Sequence, residues 1–339
     1  DKCILPFLIT ERLEFFQLTQ ADLPELEILL GDPEIMYAWE HGFTKIESQA
    51  WLNENLRRYS SDGYSYWAVR KKNDGSLIGV MGILKEVAEG KQYIGIGYIL
   101  NKKYWGQGYA GEGTEALCQY AFRKLQLQTL TAQVRTNNFA SQHIAEGLGM
   151  KAMCNFVKIY RGQEMPHFLY TLDRDKWLKT ASNGTVIILE LEAKKDFLQL
   201  LLLGDEDEKM LDRYLKRGDL FALYKGDLKA TVVVTQEKED VFEVKNLAVW
   251  PQEQRRGYGR FLMTEMCRLY SRLGTRMLVG TGDVFETLNF YQACGFTRSH
   301  VIKIFFTDNY PQPIFENGIQ LKDMVYLERF LKNDRRLKK

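Results

Sequence analysis

The chain has 339 residues, 45% hydrophobic and 27% charged, with a formal net charge of +2. Those proportions describe a globular chain of about two ordinary domains, and the near-neutral charge excludes the basic excess of a nucleic-acid-binding surface. Its longest apolar run, Phe197 to Leu203, falls far short of the ~18 residues that a membrane-spanning helix needs, so no membrane partner is expected.

In chain order, the apolar stretch from Ile4 to Ile9 lacks the basic flank and small-residue cleavage site of a leader peptide and opens a strand over 7–17. Helices follow near 21–30 and 47–58, then strands over 64–70, 76–87 and 92–100, with Asn73-Asp74-Gly75 supplying a hairpin turn. A glycine-rich turn leads into a helix over 109–125, a strand over 129–136, a helix over 139–147 and strands over 151–160 and 164–172. The small, polar cluster Lys179 to Gly184 reads as a linker, and the same order then restarts. A strand over 185–191 precedes helices near 193–203 and 207–217, and a hairpin over 219–225 and 228–236 precedes a strand over 241–249. After a second glycine turn come a helix over 258–273, a strand over 275–280, a helix over 284–293 and strands over 299–306 and 321–329. The run Lys332 to Lys339 reads as a solvated tail.

The two turns are the informative feature. Trp105-Gly106-Gln107-Gly108-Tyr109-Ala110 and Gln254-Arg255-Arg256-Gly257-Tyr258-Gly259 each join a strand to an amphipathic helix, and Gly257 lies 149 residues after Gly108. A matched pair at a fixed offset is an internal duplication. Glycine lets an anion approach the backbone, and a helix N-terminus presents unpaired N–H groups to it, so each turn is a candidate phosphate cradle. A dinucleotide fingerprint does not fit. Polar residues Asn101 to Tyr104 separate the strand from the first turn, the next strand ends in Val134-Arg135-Thr136 without the required acid, and the second copy lacks the first glycine. A P-loop does not fit either, because no Gly-Lys-Ser/Thr follows either turn.

The order of elements and the turn pattern resemble the GNAT superfamily of acetyl-CoA-dependent N-acetyltransferases, once per half. In the second half the resemblance rests on Asn246-Leu247-Ala248-Val249-Trp250-Pro251, the turn Gln254 to Gly259, and Asn289-Phe290-Tyr291-Gln292-Ala293-Cys294-Gly295-Phe296. The first half is similar to the RimJ/RimL ribosomal-protein acetyltransferases through Thr10-Glu11-Arg12-Leu13, Ile96-Gly97-Tyr98, the turn Tyr104 to Ala110 and Asn138-Phe139-Ala140-Ser141. The resemblance implies acetyl-CoA as co-substrate, its pyrophosphate on the turn amides and its pantetheine arm along the preceding strand. The residues so implied are Leu247, Ala248, Val249, Gln254, Arg255, Arg256, Gly257, Tyr258, Gly259, Arg260 and Asn289 in the second half. In the first they are Ile99, Leu100, Trp105, Gly106, Gln107, Gly108, Tyr109, Ala110 and Asn138.

Acetyl transfer sets chemical demands. An amine of pKa ~10 must lose a proton before it attacks, the thioester oxygen needs a fixed donor, and a leaving thiolate of pKa ~8.5 benefits from an acid. The resemblance places Tyr291 as that acid, in preference to a core aromatic sharing a helix face with Phe285 and Leu288. Glu243 stands where a base is expected and also reads as an ordinary strand glutamate. In the first half the corresponding acid position is Gly95, the turn has no arginine, and Ser141 is either a thiolate partner or a helix cap. Glu112 and Glu115 fit the helix dipole. The segment Phe306 to Gly318 reads as a lid for a cationic amine or as a surface loop.

Five dispersed cysteines without a CxxC pattern point to reduced thiols in the cytoplasm, and the four histidines have no metal-ligand spacing, so no metal is expected. The expected fold class is α/β (α+β): two tandem domains, 1–179 and 184–339, each a mixed, mostly antiparallel central sheet flanked by helices. The expected function is acetyl transfer to a small amine or a peptide N-terminus, with the C-terminal half the better catalyst. The alternative is an acyl-CoA-binding module with one or both halves silent. A homo-oligomer is compatible with the composition.

Overall fold

A computed structural model describes residues 5–180 and 184–331. The middle of the expected linker, the terminal lysine-rich run and Cys3 lie outside the described residues. The chain divides into two compact units, one over Pro6–Val186 and one whose main body begins at Ile187.

The first unit contains β1 (Leu8–Ile9), β2 (Leu13–Phe16), α1 (Leu23–Gly31), α2 (Lys45–Ser61), β3 (Tyr66–Lys71), β4 (Leu77–Ala88) and β5 (Lys91–Leu100). It continues with α3 (Tyr109–Gln119), β6 (Thr129–Arg135), α4 (Phe139–Gly147), β7 (Lys151–Tyr160), β8 (Gln163–Asp173) and α5 (Arg174–Lys179). The expected single strand over 7–17 is instead a hairpin. The Thr10 hydroxyl accepts from the Leu13 amide and the Thr10 amide donates to the Leu13 carbonyl, so Leu8 turns back to face Phe15. Helix α2 starts at a capping box, in which Thr44 Oγ1 accepts from the Glu47 amide while the Glu47 carboxylate accepts from the Thr44 amide. One π turn, Tyr120–Lys124, ends the helix expected over 109–125.

Strands of this unit run in the order β1-β2-β3-β4-β5-β6-β8-β7. All neighbours are antiparallel except β5 and β6, because the α3 crossover returns the chain parallel. Leu26, Leu30 and Leu52 from α1 and α2 pack on Val80, Leu84 and Ile99 of the sheet. Gly82 makes the close approach between β3 and β4, where a Cβ would lie 2.4 Å from the Ser65 carbonyl oxygen and 2.6 Å from the Tyr66 Cα. Neither backbone atom can rotate away. Gly82→Ala is therefore expected to cost about 2–3 kcal/mol of stability, read as a lower urea midpoint with an unchanged slope.

The second unit repeats the plan. It contains β9 (Thr185–Glu190), α6 (Leu198–Gly204), α7 (Glu208–Leu215), β10 (Asp219–Lys225), β11 (Asp227–Lys238) and β12 (Val241–Val249). Then come α8 (Tyr258–Tyr270), β13 (Arg276–Gly282), α9 (Phe285–Ala293), β14 (Thr297–Ile302), α10 (Phe305–Asn309), β15 (Phe315–Glu316), β16 (Ile319–Gln320) and β17 (Met324–Phe330). Its strands run β9-β10-β11-β12-β13-β17-β14, with β12 and β13 again parallel. The two units share one mixed, mostly antiparallel design with helices on its faces. The strand expected over 299–306 stops at Ile302, because Ile304 adopts φ 53° with its amide on the Asp323 carboxylate and Phe305 and Phe306 enter α10.

Candidate active site

In the second unit the sheet opens at its parallel pair. Strand β12 pairs with β13 only from Val241↔Arg276 to Val244↔Val279. On its other side Val233 faces Asn246 and Val234 faces Val244, so Lys245 is an extra, bulged residue at the same point. Beyond it, Lys245 to Leu247 and Val249 line one wall of a cleft of about 1090 Å³, and Gly280 to Gly282 line the opposite wall. A strand edge freed in this way can take an extended ligand arm by backbone pairing. Ala248 is buried and does not line the cleft.

One end of the cleft is the glycine turn. Gly257 has φ 90° and caps α8, and a Cβ there would meet nothing within 4 Å, so its face is open. The Phe261 amide is the first to bond back, to the Gly257 carbonyl. The amides of Gly257, Tyr258, Gly259 and Arg260 are the unpaired donors of a helix start, suited to an anion. Arg255 adopts φ 62° where the first copy has Gly106 at φ 70°, so the backbone shape persists without the glycine. Gln254 Nε2 reaches the Val249 carbonyl at 3.3 Å and ties the turn to the strand end. Arg255 and Arg260 line the cleft, whereas Arg256 points away and pairs with Glu253 at 3.0 Å.

The chemical groups lie farther in. Tyr291, 8% exposed, lines the cleft with its ring edge-on to Phe290, and its hydroxyl has no hydrogen-bond partner among the described residues. Burial raises its pKa above the usual phenol value. Glu243 also lines the cleft; its Oε1 accepts from Lys245 Nζ at 3.0 Å and from the Tyr326 hydroxyl at 3.1 Å. Asn289 is exposed on α9 and does not line the cleft. The segment over 306–318 forms a packed wall around Val284, Phe306 and Leu321, ended by a hairpin turn with Asn317 at φ 49° and Gly318 at φ 77°. The Tyr310 hydroxyl donates to Asp205 at 3.0 Å, and Glu206, Glu286 and Glu316 bring further acids to the same cavity. Burial raises the Asp205 pKa against the lowering effect of that hydrogen bond.

Comparison with known proteins matches the acetyltransferase (GNAT) domain family twice, over residues 12–151 and 216–298. The uncharacterized N-acetyltransferase YvbK of Bacillus subtilis is 34% identical over 139 residues, covering 40% of this chain and 90% of that protein. This chain belongs to the GNAT acetyltransferases. The FsC-acetyl coenzyme A-N(2)-transacetylase of Aspergillus fumigatus is 29% identical over 189 residues, covering 51% of this chain and 79% of that protein. Among solved structures, a Bacillus subtilis acetyltransferase in complex with CoA is 33% identical, with a TM-score of 0.41, covering 43% of this chain and 97% of that one.

The first GNAT domain repeats the turn in detail. Gly108 has φ 81°, the Glu112 amide bonds back to its carbonyl, and Trp105 Nε1 donates to the Leu100 carbonyl at 2.9 Å, the counterpart of Gln254 on Val249. The open amides are those of Gly108, Tyr109, Ala110 and Gly111. Gln107 Nε2 bonds the Lys103 carbonyl at 2.8 Å, and Lys102 is engaged by Glu34 and Asp32. Although the turn sequence holds no arginine, the fold supplies one. Arg12 donates to the Gln107 carbonyl at 3.0 Å and to Glu112 at 2.6 Å, and lies 4.2 Å above the Tyr109 ring. Glu112 thus anchors the β1–β2 hairpin to the helix start. Spacing along the chain does not reveal that contact; the sequence signal for Arg12 is its place in the Thr10 to Leu13 resemblance.

Strands β5 and β6 of this GNAT domain pair at Gly95↔Thr131 alone. Ser141 bonds the Tyr98 hydroxyl at 2.7 Å and gives its amide to Asn138 Oδ1, and Asn138 Nδ2 donates to the Tyr37 hydroxyl. Burial, against the Ser141 hydrogen bond, pushes the Tyr98 pKa up to about 12. Ile99 is packed in the α1–α2 core. Among the described residues no group of acids, histidines and cysteines could hold a metal, and no helix is long and apolar enough to cross a membrane.

Proposed function

We propose that the second GNAT domain transfers acetyl from acetyl-CoA to a primary amine by direct attack. One observation carries this reading: the open turn amides, the freed edge of β12, Glu243 and the unpartnered Tyr291 hydroxyl all face a single cleft. Acetyl-CoA lies with its pyrophosphate on Gly257 to Arg260 and its pantetheine arm along Leu247 to Val249. The thioester sits where β12 and β13 part. Glu243 takes the amine proton, the C–N bond forms as the C–S bond breaks, and Tyr291 protonates the thiolate. The Aspergillus relative, a transacetylase of acetyl coenzyme A, supports acetyl-CoA as donor.

The acceptor is a small amine or a peptide N-terminus. Asp205, Glu206, Glu286 and Glu316 with Tyr310 and Phe315 suit a cation better than an anion. In the first domain Thr10 to Leu13 and the Tyr104 to Ala110 turn support kinship with the RimJ/RimL group. Free thiols at the four described cysteines are in keeping with a cytoplasmic setting.

The second reading, an acyl-CoA-binding chain, is favoured by Gly95 standing at the acid position of the first domain. Calorimetry of the full chain with acetyl-CoA, coupled to thiol release on an amine panel, separates the two. Two binding sites with turnover are expected. Two sites without turnover, or one site alone, would favour the binder.

A further inference from the structure

Gly95 removes the side chain expected to act as base in the first domain, yet the space above it is filled. A Cβ built on Gly95 would lie 2.1 Å from Glu86 Oε2. Glu86 belongs to β4, where it faces Tyr93 across the ladder, while Gly95 faces Leu84 on the same side of the sheet. In the second domain Glu243 stands three residues before Asn246, with Lys245 bulged, and shares a face with Asn246. The first domain has no bulge there, so two residues before Gly97, the counterpart of Asn246, is Gly95. We propose that Glu86 is the catalytic base of the first domain, delivered from the neighbouring strand into the place that Glu243 holds in the second.

Its surroundings fit that task. Glu86 Oε2 is sealed from solvent and has no hydrogen-bond partner among the described residues, which is costly for a carboxylate with no use for its lone pairs. It sits at the pairing of Gly95 with Thr131, where β5 and β6 part as β12 and β13 do. The charged and titratable groups facing it are Tyr93 of β5, Lys158 of β7, Arg58 of α2 and Tyr66 of β3; none of them bonds its Oε2. Burial outweighs the two cations and pushes its pKa up to about 7, where a general base works best near neutral pH. The amine gives its proton to Glu86 as its nitrogen bonds the thioester carbon. The C–S bond breaks, the thiolate takes a proton from water, and Glu86 returns its own to solvent.

The proposal rests on acetyl transfer as the chemistry of the chain. It is tested in the full chain carrying Gly257→Val, which blocks the second donor turn, with acetyl-CoA and either spermidine or an alanine-initiated tetrapeptide. Adding Glu86→Gln is expected to lower kcat/KM at least about 100-fold and to remove the ionisation near pH 7, with acetyl-CoA affinity unchanged by calorimetry. Glu86→Ala combined with Gly95→Glu returns a carboxylate to the same space and is expected to recover most of the loss; Glu86→Ala alone is not. Activity within about twofold after Glu86→Gln overturns the assignment. So does a Gly257→Val chain that no longer acetylates an amine used by the unblocked chain. If the unblocked chain acetylates neither probe nor any member of the amine panel, acetyl transfer itself fails.

Discussion

Replacing Tyr291 with phenylalanine is expected to lower kcat for acetyl transfer by about 100-fold, equal to about 2.7 kcal/mol of transition-state stabilisation. The substitution removes one oxygen and leaves the ring packed on Phe290 and Phe296. Tyr291 lines the cleft and its hydroxyl makes no hydrogen bond among the described residues, so its loss orphans no protein group. The donor contacts, on the turn and along β12, are untouched. Acetyl-CoA affinity is therefore expected to hold while the rate falls, the signature of an interaction made mainly in the transition state. Thiol release and calorimetry on the same preparation read both quantities. An unchanged kcat would return Tyr291 to the role of a core aromatic.

Glu86→Gln is expected to make the first domain more stable at alkaline pH, an effect opposite in sign to its effect on rate. Burial holds the Glu86 carboxyl at a pKa of about 7, against the ordinary 4.5. A group raised in this way keeps its proton in the folded state while the unfolded chain loses it. Its contribution is complete below pH 4.5 and is lost as pH rises through 7. The loss amounts to about 3 kcal/mol, and glutamine, which does not titrate, escapes it. Urea unfolding at pH 5 and pH 8 should show the variant gaining about 2–3 kcal/mol more over the parent at the higher pH. A difference between variant and parent that is equal at both values would mean that Glu86 titrates as an exposed acid. A residue that costs stability and supports rate is the pattern of a functional site.

The duplication and the turns were legible because their signals are local. Left-handed backbone at Gly108 and Gly257 requires little more than glycine before a helix, and the 149-residue offset extends to Trp105 and Gln254, which close their turns on equivalent carbonyls. Side-chain direction was less legible. Arg255 and Arg256 are neighbours in sequence, but one lines the cleft and the other is tied to Glu253. The strand expected over 7–17 broke at Thr10 because a single hydroxyl offers the chain a turn, and pattern alone does not weigh that option. The segment over 306–318, expected as a lid or a surface loop, is an ordered wall because Phe305, Phe306 and Leu321 find one another only after α9 and β17 are placed. Arg12 and Glu86 were the hardest to foresee. Arg12 reaches its place from the β1–β2 turn and Glu86 from a neighbouring strand, and both placements are tertiary properties.

The chain carries two domains of one family, and the function proposed above gives most of the acetyl transfer to the second. The most direct measurement is steady-state acetyl-CoA turnover, on any amine the chain accepts, for the full chain with Gly257→Val and separately with Gly108→Val. Each valine strains a left-handed position and shades the amides of one turn only. Gly257→Val should remove most of the turnover, and Gly108→Val only the smaller share assigned to Glu86. A Gly257→Val chain that turns over like the parent would contradict the placing of the principal active site in the second domain.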